Sequence, residues 1–104
     1  MRPFLHPKRE EITLPGVLYA LSDPVRLEIF RRVQAQGAEP ISCKACTPAD
    51  MPRSTRTHHL RILREAGLIR SEKRGTEVLS TARSHDVEAR FPGLLRAIMR
   101  AARD

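Results

Sequence analysis

The chain has few aromatic residues: three Phe, one Tyr and no Trp among 104 residues. Its core must therefore be mainly aliphatic, and its length corresponds to a single domain. It also lacks an apolar run long enough to cross a membrane. Its first residues, MRPFLHPKREE, carry charge but no apolar stretch of the kind found in a secretory signal. These absences argue against a membrane protein and predict a cytoplasmic chain whose two cysteines are mainly reduced at rest.

The sequence also lacks the patterns that mark common catalytic sites. It has no glycine-rich phosphate loop, and no pair of carboxylates falls within one motif. Cys43 or Cys46 together with His58 would supply a nucleophile and a base, but no third group is available to orient them. The sequence therefore predicts a protein that is not an enzyme and has no cofactor, unless the cysteines bind a metal ion.

Positive charge, in contrast, is abundant. The formal net charge is +7, and arginine supplies most of the 19 basic residues. Between Arg53 and Arg74 there are seven basic residues and only two acidic ones, Glu65 and Glu72. The planar guanidinium group is well suited to phosphate and guanine. This clustering, in about a fifth of the chain, indicates a nucleic-acid-binding surface.

The basic cluster begins in the segment RSTRTHHLRILREAGL, residues 53–68, which is predicted to be one helix with two unlike halves. In its second half Leu60, Leu63 and Ala66 share one face, and Gly67 supplies the left-handed residue that ends many helices. A helix whose rear half packs into a core, and whose front half carries small donors and arginines, suits a DNA major groove. The residues predicted to contact DNA from this helix are Arg53, Ser54, Thr55, Arg56, Thr57, His58 and Arg61.

A β-hairpin is predicted to follow this helix, over residues 68–83. Ile69 opens the first strand, and residues 73–76 form the turn, in which Gly75 is free to take a positive φ. A basic hairpin tip beside a recognition helix would reach phosphate or the adjacent minor groove. The hairpin residues predicted to contact DNA are Arg70, Lys73 and Arg74.

The flanking segments are predicted to be mainly helical. One helix is expected over residues 12–21 and a second over residues 24–35, with Asp23 as the N-cap of the second. Residues 43–49 can form only a short helix, and the last helical region, residues 84–104, carries an apolar stripe. The core stripe of the second helix is predicted to be Val25, Ile29, Phe30 and Val33.

Two blocks of the sequence resemble ArsR-type winged helix-turn-helix repressors. Ser54-Thr55-Arg56-Thr57-His58-His59-Leu60, followed by Leu63 and Ala66-Gly67-Leu68, is similar to the recognition-helix signature of that family. The segment ALSDPVRLEIF, residues 20–30, is similar to its second hallmark. The chain departs from the family pattern at Pro52, where a capping Ser or Thr is usual, and at Arg56, where an apolar residue is usual.

The resemblance implies the fold class: mainly α with a small β-hairpin, a winged helix-turn-helix that dimerises through its first and last helices. Residues 1–10 are predicted to be a mobile N-terminal arm, and residues 11–104 the DNA-binding and dimerisation domain. A homodimer of this kind would act as a repressor on an inverted repeat in double-stranded DNA. The residues implied at the dimer interface are Leu14, Val17, Leu18, Leu94, Leu95 and Ile98.

The C-x-x-C pair, Cys43 and Cys46, has three possible roles. The two thiols could close a disulfide if their geometry permits, and Lys44 between them would favour the thiolate. Two thiolates are too few for a zinc site, which would need further ligands from histidines, Asp50 or a partner chain. The pair could also be purely structural. The segment RFPGLL, residues 90–95, resembles ArsR-type members that lack the metal ligands, which favours thiol oxidation as the signal.

A second class of function is consistent with the same fold. A winged helix can serve as a protein-interaction module without specific DNA binding. Its surface would then carry an acidic or apolar docking patch where this chain carries arginine. The basic residues clustered on the predicted helix and hairpin therefore favour the DNA-binding alternative.

Overall fold

A computed structural model describes residues 4–103 of the chain. Within these residues it contains six α-helices, a 3-10 turn at Arg9–Glu11 and three short strands, which confirms the predicted fold class of mainly α with a small β-hairpin. Dimerisation through the first and last helices stays a prediction. The helices are α1 (Leu14–Leu21), α2 (Pro24–Ala35), α3 (Cys43–Cys46), α4 (Arg53–Glu65), α5 (Ser84–Arg90) and α6 (Leu94–Ala102). The strands are β1 (Ile41–Ser42), β2 (Ile69–Arg74) and β3 (Glu77–Ala82). In this range no helix is long and apolar enough to span a membrane.

Side-chain caps fix where the first two helices begin. The carboxylate of Asp23 accepts hydrogen bonds from the backbone nitrogens of Val25 (2.8 Å) and Arg26 (3.1 Å), so α2 has the predicted bounds. The hydroxyl of Thr13 accepts a hydrogen bond from the backbone nitrogen of Gly16 (3.1 Å). Because Thr13 is this N-cap, α1 begins later than the sequence predicted.

The three strands form one antiparallel sheet in the order β1-β3-β2. The hairpin pairs Ser71 with Ser80 at its buried base, where their hydroxyl oxygens lie 3.0 Å apart. At its tip Arg74 pairs with Glu77, and Gly75 in the turn has φ +60°, as predicted for this position. The third strand, β1, lies outside the predicted hairpin, in the segment before α3 where the family resemblance implies a small strand. It makes β3 the central strand and leaves one side of β2 as a sheet edge.

The core lies between the helices and the sheet and is mainly aliphatic. Phe30 is its largest fully buried side chain, and Ile29 and Val33 lie beside it in the buried stripe of α2. The prediction that Val25 is the fourth member of that stripe was wrong, because this residue is 37% exposed. Arg26 turns inward instead, because its guanidinium Nε donates to the carbonyl oxygen of Ala20 at the end of α1 (2.8 Å).

The chain before α1 lies against the rest of the domain. Ile12 is buried at 1% exposure and packs against Gly67, the second residue after α4. Residues 4–10, which belong to the predicted mobile arm, make contacts with α4, β2 and the start of α5. The other arm residues, 1–3, and Asp104 lie outside the described residues. The arm's mobility and the boundary between residues 10 and 11 stay predictions.

Candidate nucleic-acid interface

The helix α4 has the two unlike halves that the sequence predicted. Leu60 (4% exposed) and Leu63 (0%) anchor its rear half in the core. Gly67, with φ +85°, ends it, and the backbone nitrogen of Leu68 donates to the carbonyl oxygen of Leu63 (3.0 Å). This anchoring fixes the direction in which the front half points.

The front half of α4 is open to solvent. Arg53, Ser54, Thr55, Thr57 and His58 are all exposed, and Arg61 is exposed one turn further along. The helix has 13 residues, so its length of about 20 Å and its diameter of about 10–12 Å fit a major groove. The structure therefore brings six of the seven predicted α4 residues to the surface of one helix.

Arg56 differs from its neighbours because it is half-buried and points back toward α3. Its Nε donates to the hydroxyl of Thr47 (2.6 Å), and its Nη2 lies 3.3 Å from the carbonyl oxygen of Met51. The Thr47 hydroxyl in turn donates to the carbonyl oxygen of Cys43 (2.5 Å). A DNA contact by Arg56 stays a prediction, and these bonds give the residue a second role, which is to hold the turn between α3 and α4.

His59 is half-buried on the inner side of α4, as the sequence predicted for a packed residue. Its Nδ1 lies 3.4 Å from the Nη1 of Arg26. Burial, with smaller repulsion from Arg26 and His58, lowers the pKa of His59, and Asp23 opposes this shift. The imidazole is therefore neutral at pH 7, which lets Nδ1 accept a hydrogen bond from the guanidinium.

The hairpin carries its predicted basic residues on the surface. Arg70, Lys73 and Arg74 are all exposed. The Nη2 of Arg74 lies 2.7 Å from an oxygen of Glu72. This ion pair is solvated on both sides, so it is weak and leaves the arginine available to a phosphate.

A cleft of about 490 Å³ separates α4 from the hairpin and contains a residue that the sequence analysis missed. Lys44, on α3, is exposed and lines this cleft together with Arg53 and Arg56. Three cations around one concave surface favour an anion such as a backbone phosphate. The available signal in the sequence is the charge of Lys44, for which the sequence predicted only an effect on the neighbouring thiols. The remaining lining residues are Ser42, Cys43, Thr57, Thr76, Glu77 and Val78.

The two cysteines occupy unlike environments. Cys43 is half-exposed at the start of α3, and Cys46 is completely buried. Burial, reinforced by the nearby Cys43, raises the pKa of Cys46 to about 11, so this thiol stays protonated at neutral pH. Across residues 4–103, no three His, Cys, Asp or Glu side chains converge as metal ligands would. Oxidation chemistry at this pair would therefore have to begin at Cys43.

The predicted dimer residues divide between surface and core. Leu14 and Leu18 on α1 are 40% and 46% exposed, and Leu94 and Ile98 on α6 are half-buried. Val17 (0%) and Leu95 (4%) lie in the core of the chain itself, because the helical period turns them inward. An interface on α1 and α6 would therefore be formed by the four outer residues.

Comparisons with known proteins agree with this architecture. Residues 21–72 match the family described as a helix-turn-helix domain. An uncharacterized HTH-type transcriptional regulator of Methanocaldococcus jannaschii is 35% identical over 60 residues, which cover 58% of this chain and 66% of that protein. The crystal structure of an ArsR family transcriptional regulator has a TM-score of 0.66 at 23% identity and covers 83% of this chain and 92% of its own.

A second solved structure is more similar in sequence. It is an ArsR-like transcriptional regulator from Rhodococcus sp., with a TM-score of 0.60 at 28% identity over 86% of this chain and 83% of its own. The matched segment, residues 21–72, contains α2, α3 and α4 and reaches into β2. It therefore includes the buried stripe of α2 and the whole recognition helix. The chain belongs to the helix-turn-helix domain family, and its sequence and fold are similar to those of ArsR-type regulators.

Proposed function

We propose that this protein is a sequence-specific DNA-binding repressor that acts as a homodimer. The observation that supports this function best is the front half of α4, residues 53–58, in which every side chain except Arg56 is exposed and which is anchored by the buried rear half of the helix. Arg53 and Thr57 would read base edges, since arginine pairs with guanine and a hydroxyl accepts or donates as the base requires. Lys44 and Lys73 would bind phosphates on either side of the groove.

The test of this proposal is binding of the purified protein to DNA from upstream of its own gene, with excess random DNA as competitor. The salt concentration must be fixed, because phosphate contacts make affinity steeply salt-dependent. We expect binding to the upstream DNA to survive the competitor. Weak binding, equal for upstream and random DNA, would contradict the proposal and favour a protein-interaction module.

The homodimer would bury the outer residues of α1 and α6. Two α4 helices related by a two-fold axis would then enter successive major grooves about 34–36 Å apart, so the operator would be an inverted repeat. Leu18→Asp, which places a charge in this surface, is expected to shift the protein to a monomer in sedimentation and to reduce operator affinity.

The control for this experiment is Leu5→Asp. Leu5 is 85% exposed and lies outside the proposed interface, so the same charge there is expected to leave the dimer intact. A dimer that persists in the Leu18→Asp variant at micromolar concentration would place the interface elsewhere.

The signal proposed for the repressor is oxidation of the cysteine pair by a peroxide. The thiolate of Cys43 would attack one peroxide oxygen and become a sulfenic acid, releasing water. The thiol of Cys46 would then displace the second oxygen as water, which forms the disulfide and balances the two electrons taken up by the peroxide. Because Cys46 is buried, this second step requires α3 to open.

The hydrogen-bond chain from α3 to α4 provides the link to DNA. A disulfide that distorts α3 would displace the carbonyl oxygen of Cys43, to which Thr47 donates, and Thr47 accepts from Arg56 of the recognition helix. Peroxide is therefore expected to reduce operator binding about 5–150-fold, the usual range of such couplings.

Cys43→Ser is expected to keep full operator binding when peroxide is added, because the residue that starts the reaction is absent. Cys46→Ser is the matched variant: Cys43 still oxidises there but cannot form the disulfide. Operator binding by each variant is measured as the electrophoretic mobility shift of the operator DNA, with and without peroxide. Equal loss of binding in wild type and Cys43→Ser would show that the signal acts elsewhere.

A further inference from the structure

The N-terminal residues 4–9 join parts of the domain that are distant in sequence. The imidazole Nε2 of His6 accepts a hydrogen bond from the backbone nitrogen of Ser71 on β2 (3.0 Å). This strand forms the edge of the sheet, and its outer backbone groups would otherwise lack a partner strand. The His6 side chain therefore takes the place of a neighbouring strand at one position of the wing.

Two further contacts hold the same segment. The guanidinium of Arg64, in the last turn of α4, lies 4.3 Å from the ring centre of Phe4. The Nη1 of Arg83, just after β3, donates to the carbonyl oxygen of Pro7 (2.7 Å). Residues 4–9 thus contact the end of the recognition helix, the first wing strand and the end of the second.

The end of the segment is held by charge. The Nε of Arg9 donates to one oxygen of Asp86 (2.8 Å), and the Nε of Arg83 donates to the other (2.9 Å). Both arginines hold the pKa of Asp86 below its usual range, although burial opposes this. This carboxylate therefore stays ionised in mild acid and is already engaged by two cations.

The His6 contact requires a neutral imidazole, because a protonated Nε2 carries a hydrogen and cannot accept from the Ser71 nitrogen. The charged groups that face His6 are Arg64 from α4, Arg70 from β2 and Arg83 from the segment after β3. An imidazolium would lie among these three cations while partly removed from water. The geometry therefore penalises protonation twice, by a lost hydrogen bond and by repulsion.

We propose that residues 4–9 form a latch that positions the wing against the recognition helix, and that protonation of His6 opens this latch. Its consequence for DNA binding rests on the function proposed above. With the latch open, β2 loses its edge contact, and Arg64 at the end of the recognition helix loses its aromatic partner. The wing is then less firmly oriented, so the protein binds its operator more weakly in mild acid.

The direction of the pH effect follows from the His6 environment. Burial, followed by repulsion from the three arginines, lowers the pKa of His6 in the closed latch below its usual value of 6.5. The open latch has the ordinary value, so it binds protons more readily. Closure is therefore complete above about pH 6.5 and is lost progressively as the pH falls below the ordinary pKa of histidine.

Tryptophan fluorescence can follow the latch directly, since the chain contains no other tryptophan. In Phe4→Trp the indole keeps an aromatic face over Arg64 while the latch is closed. We expect its emission to shift toward that of a solvated indole between pH 7.5 and 5, while far-UV circular dichroism stays constant. An emission that is unchanged over this range would overturn the proposal.

His6→Gln in the Phe4→Trp background separates His6 from the other histidines. The glutamine amide oxygen can accept from the Ser71 nitrogen but does not titrate. The emission is expected to stay at its pH 7.5 value throughout, whereas His6→Ala should give the open emission at every pH. If the emission of the His6→Gln variant still changes with pH as before, the titrating group is not His6, and the latch is rejected. Amide exchange at Ser71 in the unsubstituted chain, corrected for intrinsic rate, provides a check that requires no substitution.

Operator affinity at pH 7.5 and 5.5 tests the consequence. We expect the operator affinity of wild type to fall about two- to tenfold between pH 7.5 and 5.5, which is the value of one such hydrogen bond. His6→Gln should not show this fall. If the emission shows that the latch opens but operator affinity does not change, the proposed coupling between the latch and DNA binding is wrong. Absence of specific binding at either pH, with the fluorescence titration intact, would reject the DNA-binding function and leave the latch itself supported.

Discussion

Arg53→Ala is expected to weaken operator binding by about 1–3 kcal/mol while leaving the fold intact, because the side chain would lose a paired contact to a base edge. Arg53 is the first residue of α4, is exposed, and makes no ion pair within residues 4–103. A cation at a helix N-terminus also opposes the helix dipole, so its removal should not destabilise the helix. Thr57→Ala is expected to act in the same direction.

The effect must be specific to the operator. The loss of affinity should be large for upstream DNA and small for random DNA. The free energy of unfolding, measured by thermal denaturation, should stay within about 0.5 kcal/mol of the wild-type value. Arg31→Ala is a suitable control, because this exposed arginine lies on α2 in the cleft with α6, away from the recognition helix. Unchanged operator affinity in both Arg53→Ala and Thr57→Ala would mean that α4 does not read the bases.

Gly67→Ala is expected to destabilise the protein by about 2–5 kcal/mol, the sum of a backbone and a packing cost. Gly67 has φ +85°, where an L-residue is strained. A β-carbon built there would lie 2.5 Å from Cγ1 and 2.7 Å from Cδ1 of the buried Ile12. Since a domain of this size is stable by roughly 5–15 kcal/mol, the loss is a large fraction of the total. Urea unfolding measures this loss of stability, provided that the free energy of unfolding falls with urea concentration at the same slope in both proteins.

Gly75→Ala separates the two contributions. Gly75 also has a positive φ (+60°), but among residues 4–103 no atom outside its two chain neighbours lies within 4 Å of where a β-carbon would be. The substitution is therefore expected to cost only about 1–2 kcal/mol, from the backbone alone. Equal costs at Gly67 and Gly75 would show that Ile12 moves aside freely and that this part of the core is not tightly packed.

Local signals in the sequence were sufficient for much of the fold. The Asp23-Pro24 pair set the start of α2 because an N-cap acts on the first turn of its own helix. The hairpin turn was set by Gly75 for a similar reason. The split of α4 into an exposed and a buried half followed from the helical period. Each of these features depends on residues within one or two turns of each other.

For contacts between residues distant in sequence, the partners could not be identified from the sequence alone. The inward turn of Arg26 depends on the carbonyl oxygen of Ala20 and on His59 in another helix. The link from Arg56 to Thr47 exists only after the chain has turned between α3 and α4. The docking of His6 on Ser71 joins residues 65 positions apart. No local pattern carries this information, because each contact requires the tertiary fold to exist first.

The short strand β1 has a consequence for how the DNA-reading part of the molecule folds. Its pairing of Ile41 with Ser80 closes a loop of chain that contains α3, α4 and β2. Closing a long loop costs entropy before its contacts are gained, so such pairing slows folding and makes it cooperative. The recognition helix lies inside this loop and the wing supplies its far end. We therefore expect the recognition helix and the wing to form and melt as one unit, so that a partly folded chain presents neither of them to DNA.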